Sequence, residues 1–324
     1  MKEPRFWQEG GWQATALLPL AGLHGWLRDI HDRWRNHKPV PSEVPVVVVG
    51  GLRVGGSGKT PFVRHLRRRL LACGEMPHVL LRGYGRSGEG VHEVDPDNGD
   101  FRMFGDEALL HAADGTTWVG ADRVEAGRRA VAAGASLLLL DDGLQSMPLR
   151  ADIAFLVVDA AAPTANGHLM PAGPLREKPE RAASRADALV LVNQGYTPSF
   201  WHRDKPLFRF RRRLRSPVAL NGRSVTVVTG IADPSRFLRD LTALGAGIVD
   251  HYAFADHHTF THEEIFTIWS HSGGRPILTT RKDWIRLDEG WRARVHPVDL
   301  DLTEEPRSQF GSWFDVKRRG DRRN

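Results

Sequence analysis

The residues best suited to chemistry lie in a glycine-rich segment near the start of the chain. Residues 46–61 read VVVVGGLRVGGSGKTP, in which an apolar run leads into glycines and Gly58-Lys59-Thr60 opens a helical pattern. Glycines let backbone N–H groups converge on phosphate oxygens, and a helix N-terminus adds a favourable dipole. In such a P-loop the lysine reaches the β- and γ-phosphates, and the threonine hydroxyl binds Mg²⁺. The segment therefore predicts a nucleotide site.

One position departs from the pattern G-x-x-x-x-G-K-[ST], because Arg53 stands where its first glycine belongs. Neighbouring glycines at 50, 51, 55 and 56 would supply the bend instead. An accidental glycine-rich turn is the alternative, and the strand–loop–helix context argues against it. The predicted nucleotide-binding residues are Arg53, Val54, Gly55, Gly56, Ser57, Gly58, Lys59 and Thr60.

A P-loop protein also needs an acidic partner for Mg²⁺ at the end of a neighbouring strand. The apolar run Leu137–Leu140 reads as such a strand and ends in Asp141-Asp142-Gly143. Thr60, Asp141 and Asp142 are therefore the predicted Mg²⁺ residues, without a choice between the two aspartates. A pair of capping aspartates on a surface turn is the alternative.

Two further clusters offer a base. Asp106 and Glu107 stand at a predicted helix start, where acids also serve simply as capping residues. Asp256-His257-His258 follows a predicted strand of the second half. No third ligand at suitable spacing accompanies it, which disfavours a metal site. A histidine from one half that approaches an aspartate of the other would instead form a catalytic pair.

Three rigid, polar segments follow strands or lie in long loops, where α/β proteins place ligand contacts. They are Arg82–Arg86, Gly120–Arg123 and Pro171–Glu177. For each arginine taken alone, a solvated surface charge is the favoured interpretation.

Short apolar runs alternate with helical patterns over most of the chain, which predicts a mostly parallel sheet with helices on both faces. An arginine-rich stretch within residues 206–217, FRFRRRLR, interrupts this order and is interpreted as an exposed strand or linker. A second set of strands and helices follows it. The predicted domains are an N-terminal membrane-associating region at 1–38, a P-loop domain at 39–213 and a smaller α/β domain at 214–324.

The N-terminal region has an apolar stretch, Trp12–Leu27, that is too short to span a bilayer and contains Pro19. The cations Arg28, Arg33, Arg35 and Lys38 follow it. This pattern is typical of a helix that lies in a membrane interface, but an amphipathic helix packed on the domain produces it too. No secretory signal pattern is present.

The composition limits the structural class of the protein but does not identify its binding partner. The 324 residues carry 45 Lys+Arg against 39 Asp+Glu, a net charge of +6, with 41% apolar residues, which excludes disordered and coiled-coil classes. The single cysteine, Cys73, excludes an internal disulfide and a zinc knuckle. A modest basic excess suits phosphates, nucleic acid or an anionic membrane equally.

Taken in order, the motifs resemble the lipid A 4'-kinase (tetraacyldisaccharide 4'-kinase) family. The matching pieces are LLPLAGLHGWL, VGGSGKTP, LRGYGR, GDE, DDGLQ, PAGPLRE and FADHHTF, and they occur in family order between residues 17 and 260. No single piece is specific, whereas the ordered set is. Departures are Leu52 and Arg53 in the places of Asn and Thr, Ser146 in the place of His, and Thr280-Arg281-Lys282-Asp283 in the place of T-E-K-D.

The resemblance implies transfer of the ATP γ-phosphate to the 4'-hydroxyl of a tetraacyldisaccharide 1-phosphate, with Mg²⁺, at the cytoplasmic face of the bacterial inner membrane. It implies that Asp106 is the base, that His257 assists it, and that Lys59 binds phosphate. Supporting roles fall to Glu107, Arg123, Arg176 and Glu177. An anionic membrane surface is the expected partner through the N-terminal helix, and neither nucleic acid nor an obligate protein partner is expected.

Two other functions compete with this one. Nucleic-acid binding through the arginines of residues 209–215 and the basic tail is one, but only three tyrosines are present and no aromatic-rich RNA motif interleaves the basic runs. The other is a P-loop GTPase or metal-chaperone-like regulator. Asn193-Gln194-Gly195-Tyr196 follows a predicted strand close to the place where guanine-reading proteins carry N-K-x-D. Neither the lysine nor the aspartate of that motif is present.

Overall fold

Strands and helices alternate along the chain in the computed structural model, which describes residues 4–34, 38–97 and 99–320. The strands of these residues are β1 (Val46–Gly51), β2 (Pro77–Leu81), β3 (His92–Glu93), β4 (Thr117–Val119), β5 (Leu137–Asp141), β6 (Ile153–Asp159), β7 (Ala188–Val192), β8 (Leu207–Arg215), β9 (Ser224–Thr229), β10 (Gly247–Ala253), β11 (Ile277–Thr280) and β12 (Val295–Glu304). The helices are α1 (Arg5–Glu9), α2 (Trp12–Trp34), α3 (Lys59–Ala72), α4 (Phe101–Phe104), α5 (Asp106–Ala112), α6 (Arg123–Ala132), α7 (Pro179–Arg185), α8 (Ser235–Ala243), α9 (His262–His271), α10 (Arg281–Trp284), α11 (Glu289–Arg292) and α12 (Phe310–Gly320).

The described strands form one sheet in the order β10-β9-β11-β12-β8-β7-β6-β1-β5-β2-β4-β3. All neighbours are parallel except β12–β8 and β3–β4. The P-loop strand β1 lies between β5 and β6, with Val49 opposite Asp141 on one side and Phe155 on the other. The carboxyl ends of these strands therefore meet at one edge, where open α/β sheets bind ligands.

Helices cover both faces of the sheet, which confirms the predicted fold class. On one face α3, α5 and α12 pack on the sheet, and on the other α6 and α7 do. The strands read as continuous apolar runs because both of their faces are buried, and β1, β2, β5, β6 and β7 are buried at every position.

Strand β8 corrects the interpretation of the arginine-rich stretch as an exposed strand or linker. It pairs with β7 on one side and with β12 on the other, and it joins the two halves of the sheet. Its alternation places Phe208 and Phe210, 4% and 0% exposed, in the core together with Leu214, while Arg209, Arg211, Arg213 and Arg215 lie on the other face. Arg212 shares the face of the phenylalanines, where it is partly buried and lies 3.8 Å from Asp240. A strand has a side-chain period of two, so one face can be mostly apolar although more than half of the residues are charged.

The division of the chain at residue 213 stays a prediction, but the boundary lies inside β8. The last helix, α12, also returns to the first half, where Phe310 packs on Phe62 with ring centroids 5.6 Å apart. Phe310 and Phe314 are fully buried in the same cluster as Phe155. The C-terminal segment thus completes the core of the P-loop half.

The N-terminal helix α2 has one face packed on the domain and another that is exposed. One face packs on the domain: a Cβ on Gly25 would lie 2.9 Å from Leu169, and the indole of Trp7 in α1 donates to the carbonyl of Pro171 at 3.0 Å. The other face exposes large apolar side chains, namely Trp12, Leu18, Leu20, Leu23, Trp26 and Leu27. Within the described residues no helix is long and apolar enough to cross a membrane. The predicted cation Arg35 lies outside those residues.

Candidate active site

The P-loop follows β1 and enters α3 through a left-handed residue. Gly58 has φ +90° and caps the helix, and a Cβ there would lie 3.1 Å from the side chain of Val192 at the end of β7. A Cβ on Gly51 would lie 2.6 Å from Oγ of Ser57. Both positions therefore favour glycine, and they let the loop fold tightly over the ends of the strands.

Arg53, the departure from the usual pattern, ties the loop to neighbouring segments. Its guanidinium donates to the carbonyl of Ala162 at 2.9 Å, and its backbone forms a bridge with Leu175. The next amide, of Val54, donates to the carbonyl of Pro174 at 3.0 Å. The segment Pro171–Glu177 is thereby held against the first turn of the nucleotide loop.

A cluster of opposite charges lies where β5 ends. Nζ of Lys59 is 3.5 Å from Oδ1 of Asp142, and Nη1 of Arg176 donates to Oδ2 of the same carboxylate at 2.5 Å. Burial alone would raise the pKa of Asp142, but the charges of Lys59 and Arg176 lower it below its usual value. Asp142 is thus held as a carboxylate beside the P-loop lysine.

Asp141, the other predicted Mg²⁺ residue, is held by a histidine. Its Oδ2 lies 2.9 Å from Nε2 of His111 on α5, and both side chains are buried. Within the described part of the chain, Oδ1 of Asp141 is buried without a hydrogen-bond partner, as is Oγ of Ser57. Unpaired buried oxygens at the mouth of a P-loop fit a bound cation. The described residues contain no group of three or more His, Cys, Asp or Glu side chains that could hold a metal ion. Mg²⁺ itself is usually held by one or two carboxylates together with phosphate and water.

The predicted supporting residues divide into two groups. Arg123 is buried, and it donates to the hydroxyl of Ser146 and, at 3.5 Å, to the carbonyl of Asp142. Ser146, a departure from the family pattern, therefore orients an arginine of the site. Glu177 instead accepts from Arg185, so its contact is with α7.

A carboxylate–histidine pair joins the two halves of the chain. Asp106 begins α5 and is 8% exposed, and its Oδ2 lies 2.8 Å from Nδ1 of His257. His257 has φ +62° in the loop after β10, and its backbone N–H donates to the carbonyl of Gly230. His258 turns away to Glu264 at 3.0 Å and stacks on Phe254. Only His257 of the two histidines reaches Asp106.

Glu107 is the second acid of α5, and desolvation and the charge of Asp141 raise its pKa, while the charges of Lys59 and Lys282 lower it less strongly. It therefore faces the same charged cluster as the P-loop lysine. Nζ of Lys282 on α10 also lies 3.4 Å from Nε2 of His257, so a second element of the second half reaches this site.

Two residues of the site were missed from the sequence. His111 lies five positions after Asp106 on α5, a spacing that does not place the two side chains on one face of the helix, so no local signal marks it. Arg286 contacts Asp106 from the second half, 180 residues away along the chain, and its fully buried side chain carries no local signal that separates it from a surface arginine.

Comparisons with known proteins agree on one family. The family model described as Tetraacyldisaccharide-1-P 4'-kinase matches residues 13–315. The tetraacyldisaccharide 4'-kinase of Paramagnetospirillum magneticum is 36% identical over 323 residues, which cover 97% of this chain and 98% of that protein. The enzyme of the same name from Parvibaculum lavamentivorans is 39% identical over 299 residues, which cover 89% of this chain and 87% of that protein.

A solved structure agrees as well. The crystal structure of an "apo" form of LpxK from Aquifex aeolicus in complex with ATP superimposes with a TM-score of 0.76 at 29% identity. The match covers 94% of this chain and 99% of that chain.

Proposed function

This chain belongs to the tetraacyldisaccharide-1-P 4'-kinase family, as its motifs predicted, and from that premise we propose the reaction and the roles of its residues. The enzyme transfers the γ-phosphoryl group of ATP to the 4'-hydroxyl of a tetraacyldisaccharide 1-phosphate. The bond between the γ-phosphorus and the bridging oxygen breaks and ADP leaves. A bond forms from the 4'-oxygen to phosphorus, and the hydroxyl proton passes to a carboxylate. The product is the 1,4'-bisphosphorylated disaccharide, lipid IV-A.

The observation that carries this proposal is the position of the Asp106–His257 pair. Asp106 begins the helix that also carries His111, and His111 holds Asp141 beside the P-loop. The base and the phosphate-binding edge are thus positioned by one short helix. A sugar hydroxyl is a weak acid, so a carboxylate within hydrogen-bond reach must accept its proton. Asp106 takes that role, and His257 orients it.

Charge neutralisation falls to the P-loop half. Residues 53–60 cradle the phosphates, Lys59 contacts the β/γ oxygens, and Arg176 and Arg123 hold the Asp142 segment in place. Thr60, Asp141 and Asp142 would hold Mg²⁺, which when bound neutralises charge on the phosphate oxygens. Phosphoryl transfer asks mainly for in-line positioning and charge stabilisation, and these groups provide both.

The nucleoside has a candidate pocket beyond the ends of β6 and β7. A cavity of about 340 Å³ lies there, lined by Asn193, Gln194 and arginines of β8 and α8. Arg236 and Asn193 both donate to Asp159 at the end of β6, at 2.9 Å each. Since the γ-phosphate end faces β5, the base and ribose would extend to this opposite side of β1. We expect Arg236→Ala to raise KM for ATP and to leave KM for the lipid unchanged.

The direct test incubates the purified protein with labelled ATP and a tetraacyldisaccharide 1-phosphate, with and without Mg²⁺. The expected result is label in the lipid that depends on Mg²⁺ and is lost in the Asp106→Asn variant. Competition with unlabelled GTP tests the regulator hypothesis, which family membership disfavours. GTP preference with no lipid dependence would contradict the kinase assignment.

We also propose that α2 attaches the protein to the membrane. The exposed apolar face of α2 lies in the bilayer interface at the cytoplasmic face of the inner membrane, where the acylated substrate resides. Its other face packs on the active-site segment, because Arg28 donates to the carbonyl of Arg176. In β8, Arg211 and Arg215 pair with Glu305 and Asp301, and Arg212 lies 3.8 Å from Asp240, so acidic neighbours offset part of the basic charge of this strand.

Vesicles containing anionic phospholipid test this attachment. Leu20 and Leu23 are about half exposed, and changing both to Gln is expected to weaken vesicle binding roughly tenfold or more. Met76→Gln, at a similarly exposed apolar residue of the P-loop half, serves as the control. Equal binding by both variants would refute the interfacial helix.

A further inference from the structure

Arg286 is the cation in closest contact with the proposed base. It follows α10, and its side chain is fully buried. Its Nε donates to Oδ2 of Asp106 at 3.0 Å, and its Nη2 donates to the same oxygen. On the opposite side, Nη1 donates to the carbonyl of Gly230 at 3.2 Å and to Oδ1 of Asp283 at 3.1 Å. The guanidinium is therefore fixed from both sides, and it holds one oxygen of Asp106 in turn.

The contacts to Asp106 all fall on a single carboxylate oxygen. Oδ2 accepts from Nδ1 of His257 and from two nitrogens of Arg286. Among the described residues no hydrogen bond reaches Oδ1 of Asp106. An oxygen with three donors has no lone pair left for substrate, whereas Oδ1 can accept a proton. The two oxygens of the base thus differ in what they can do.

We propose that Arg286 is a positioning residue that clamps Oδ2 of Asp106, so that Oδ1 faces the 4'-hydroxyl and the group stays a carboxylate. The inference rests on the proposed function, in which Asp106 is the base. Arg286 acts through Asp106 and does not touch the substrate. A planar guanidinium with two donors on one oxygen restrains the carboxylate more tightly than a lysine ammonium could.

The charges around Asp106 agree with this role. Burial alone would raise its pKa, but the hydrogen bond and charge of Arg286, followed by His257 and Lys282, lower that pKa below its usual value. Glu107 adjoins it on α5, and Asp283 lies behind Arg286. Removal of the guanidinium charge would therefore raise the pKa of Asp106, so that the base becomes protonated at a higher pH than in the wild type.

The chain offers graded variants for the test. Arg286→Lys keeps the charge and loses the paired donors, Arg286→Gln loses both, and Asp283→Asn loosens the anchor behind the guanidinium. Arg292→Lys is the matched control, because Arg292 lies nearby on α11 but donates to the carbonyl of Ile285. Steady-state rates for both substrates and the pH profile of kcat/KM are measured on each folded variant.

We expect Arg286→Lys to lower kcat by on the order of 10- to 100-fold, the scale of a misplaced catalytic group, with KM for ATP unchanged. Arg286→Gln should also move the acid limb of kcat/KM to higher pH, which a purely structural loss would not do. Asp283→Asn should show a smaller fall in kcat. If the Arg286 variants fail to fold, this fall supports the proposal, and a wild-type kcat in Asp283→Asn contradicts it. Arg292→Lys should match the wild type.

A folded Arg286→Lys enzyme with wild-type kcat and pH profile overturns the proposal, as does a change confined to KM for ATP. If Arg286→Gln also folds, an unmoved acid limb overturns it too. Asp106→Asn separates the two levels of the argument. If Asp106→Asn retains turnover, the assignment of Asp106 as the base has failed. If Asp106→Asn loses turnover while Arg286→Lys keeps the wild-type kcat, only the proposed role of Arg286 is rejected.

Discussion

The pairing of Asp106 with His257 predicts a specific non-additivity. The hydrogen bond between Nδ1 of His257 and Oδ2 of Asp106 is 2.8 Å long, and the imidazole is 59% exposed while the carboxylate is 7% exposed. A hydrogen bond to a charged group contributes about 1.5–3 kcal/mol, and exposure places this one at the lower end. About 1.5 kcal/mol corresponds to roughly a tenfold change in rate.

His257→Ala is therefore expected to lower kcat about tenfold, whereas Asp106→Asn removes the base and lowers it on the order of 10²- to 10⁴-fold. If the histidine acts only through the aspartate, His257→Ala should have little further effect in the Asp106→Asn background. The assay is the initial rate of label transfer from ATP to the disaccharide lipid.

The Kd for ATP, measured by calorimetry, should stay at the wild-type value in each single variant, because neither residue contacts the P-loop. His258→Ala is the control, since that imidazole pairs with Glu264. The reasoning is refuted if His257→Ala lowers the rate by the same factor with and without Asp106, because the two residues would then act independently.

Three other predictions follow from the geometry. Asp142→Asn should raise the Mg²⁺ concentration needed for the half-maximal rate, measured by Mg²⁺ titration of the kinase assay. An unchanged Mg²⁺ concentration would mean that Asp142 does not bind the metal. Phe310→Ala should lower the free energy of unfolding in urea by about 3–5 kcal/mol, because the ring is fully buried in the core cluster that contains Phe62 and Phe155. A loss below about 1 kcal/mol would contradict the placement of α12. Burial would raise the pKa of Asp114, but its hydrogen bond and ion pair with Arg64 lower that pKa below the unfolded value near 3.8. The stability that Asp114 contributes is therefore complete above pH 3.8 and is lost as the pH falls through the folded pKa. Asp114→Asn should make acid unfolding shallower in a pH series of thermal melts, and an unchanged acid slope would contradict this.

Much of the site was predictable because its signals are local. The buried strand, the glycines and Gly58-Lys59-Thr60 lie within sixteen consecutive residues, so the pattern could be read without knowledge of distant contacts. Asp141 and Asp142 follow a strand of four leucines in the same way. Asp106 and His257 were chosen through the resemblance to a family, because the residues by themselves did not distinguish catalytic groups from helix caps.

Other features depended on contacts between distant parts of the chain. The arginines of β8 indicated an exposed segment, since local composition does not reveal that Phe208 and Phe210 meet a core built by α3 and α12. The role of Ser146 was open until Arg123 was found to donate to its hydroxyl.

The sequence alone determined the strand–loop–helix segment of the P-loop, the alternation that builds a mostly parallel sheet and, through its ordered motifs, the family. These depend on backbone periodicity and on residues close together in the chain, where spacing translates directly into geometry. The tertiary structure decided that the two halves share one sheet, that Asp141 is held by His111, and that Arg286 clamps Oδ2 of Asp106. A buried ion pair between residues 180 positions apart forms only when both ends are desolvated together, and no local pattern carries that information.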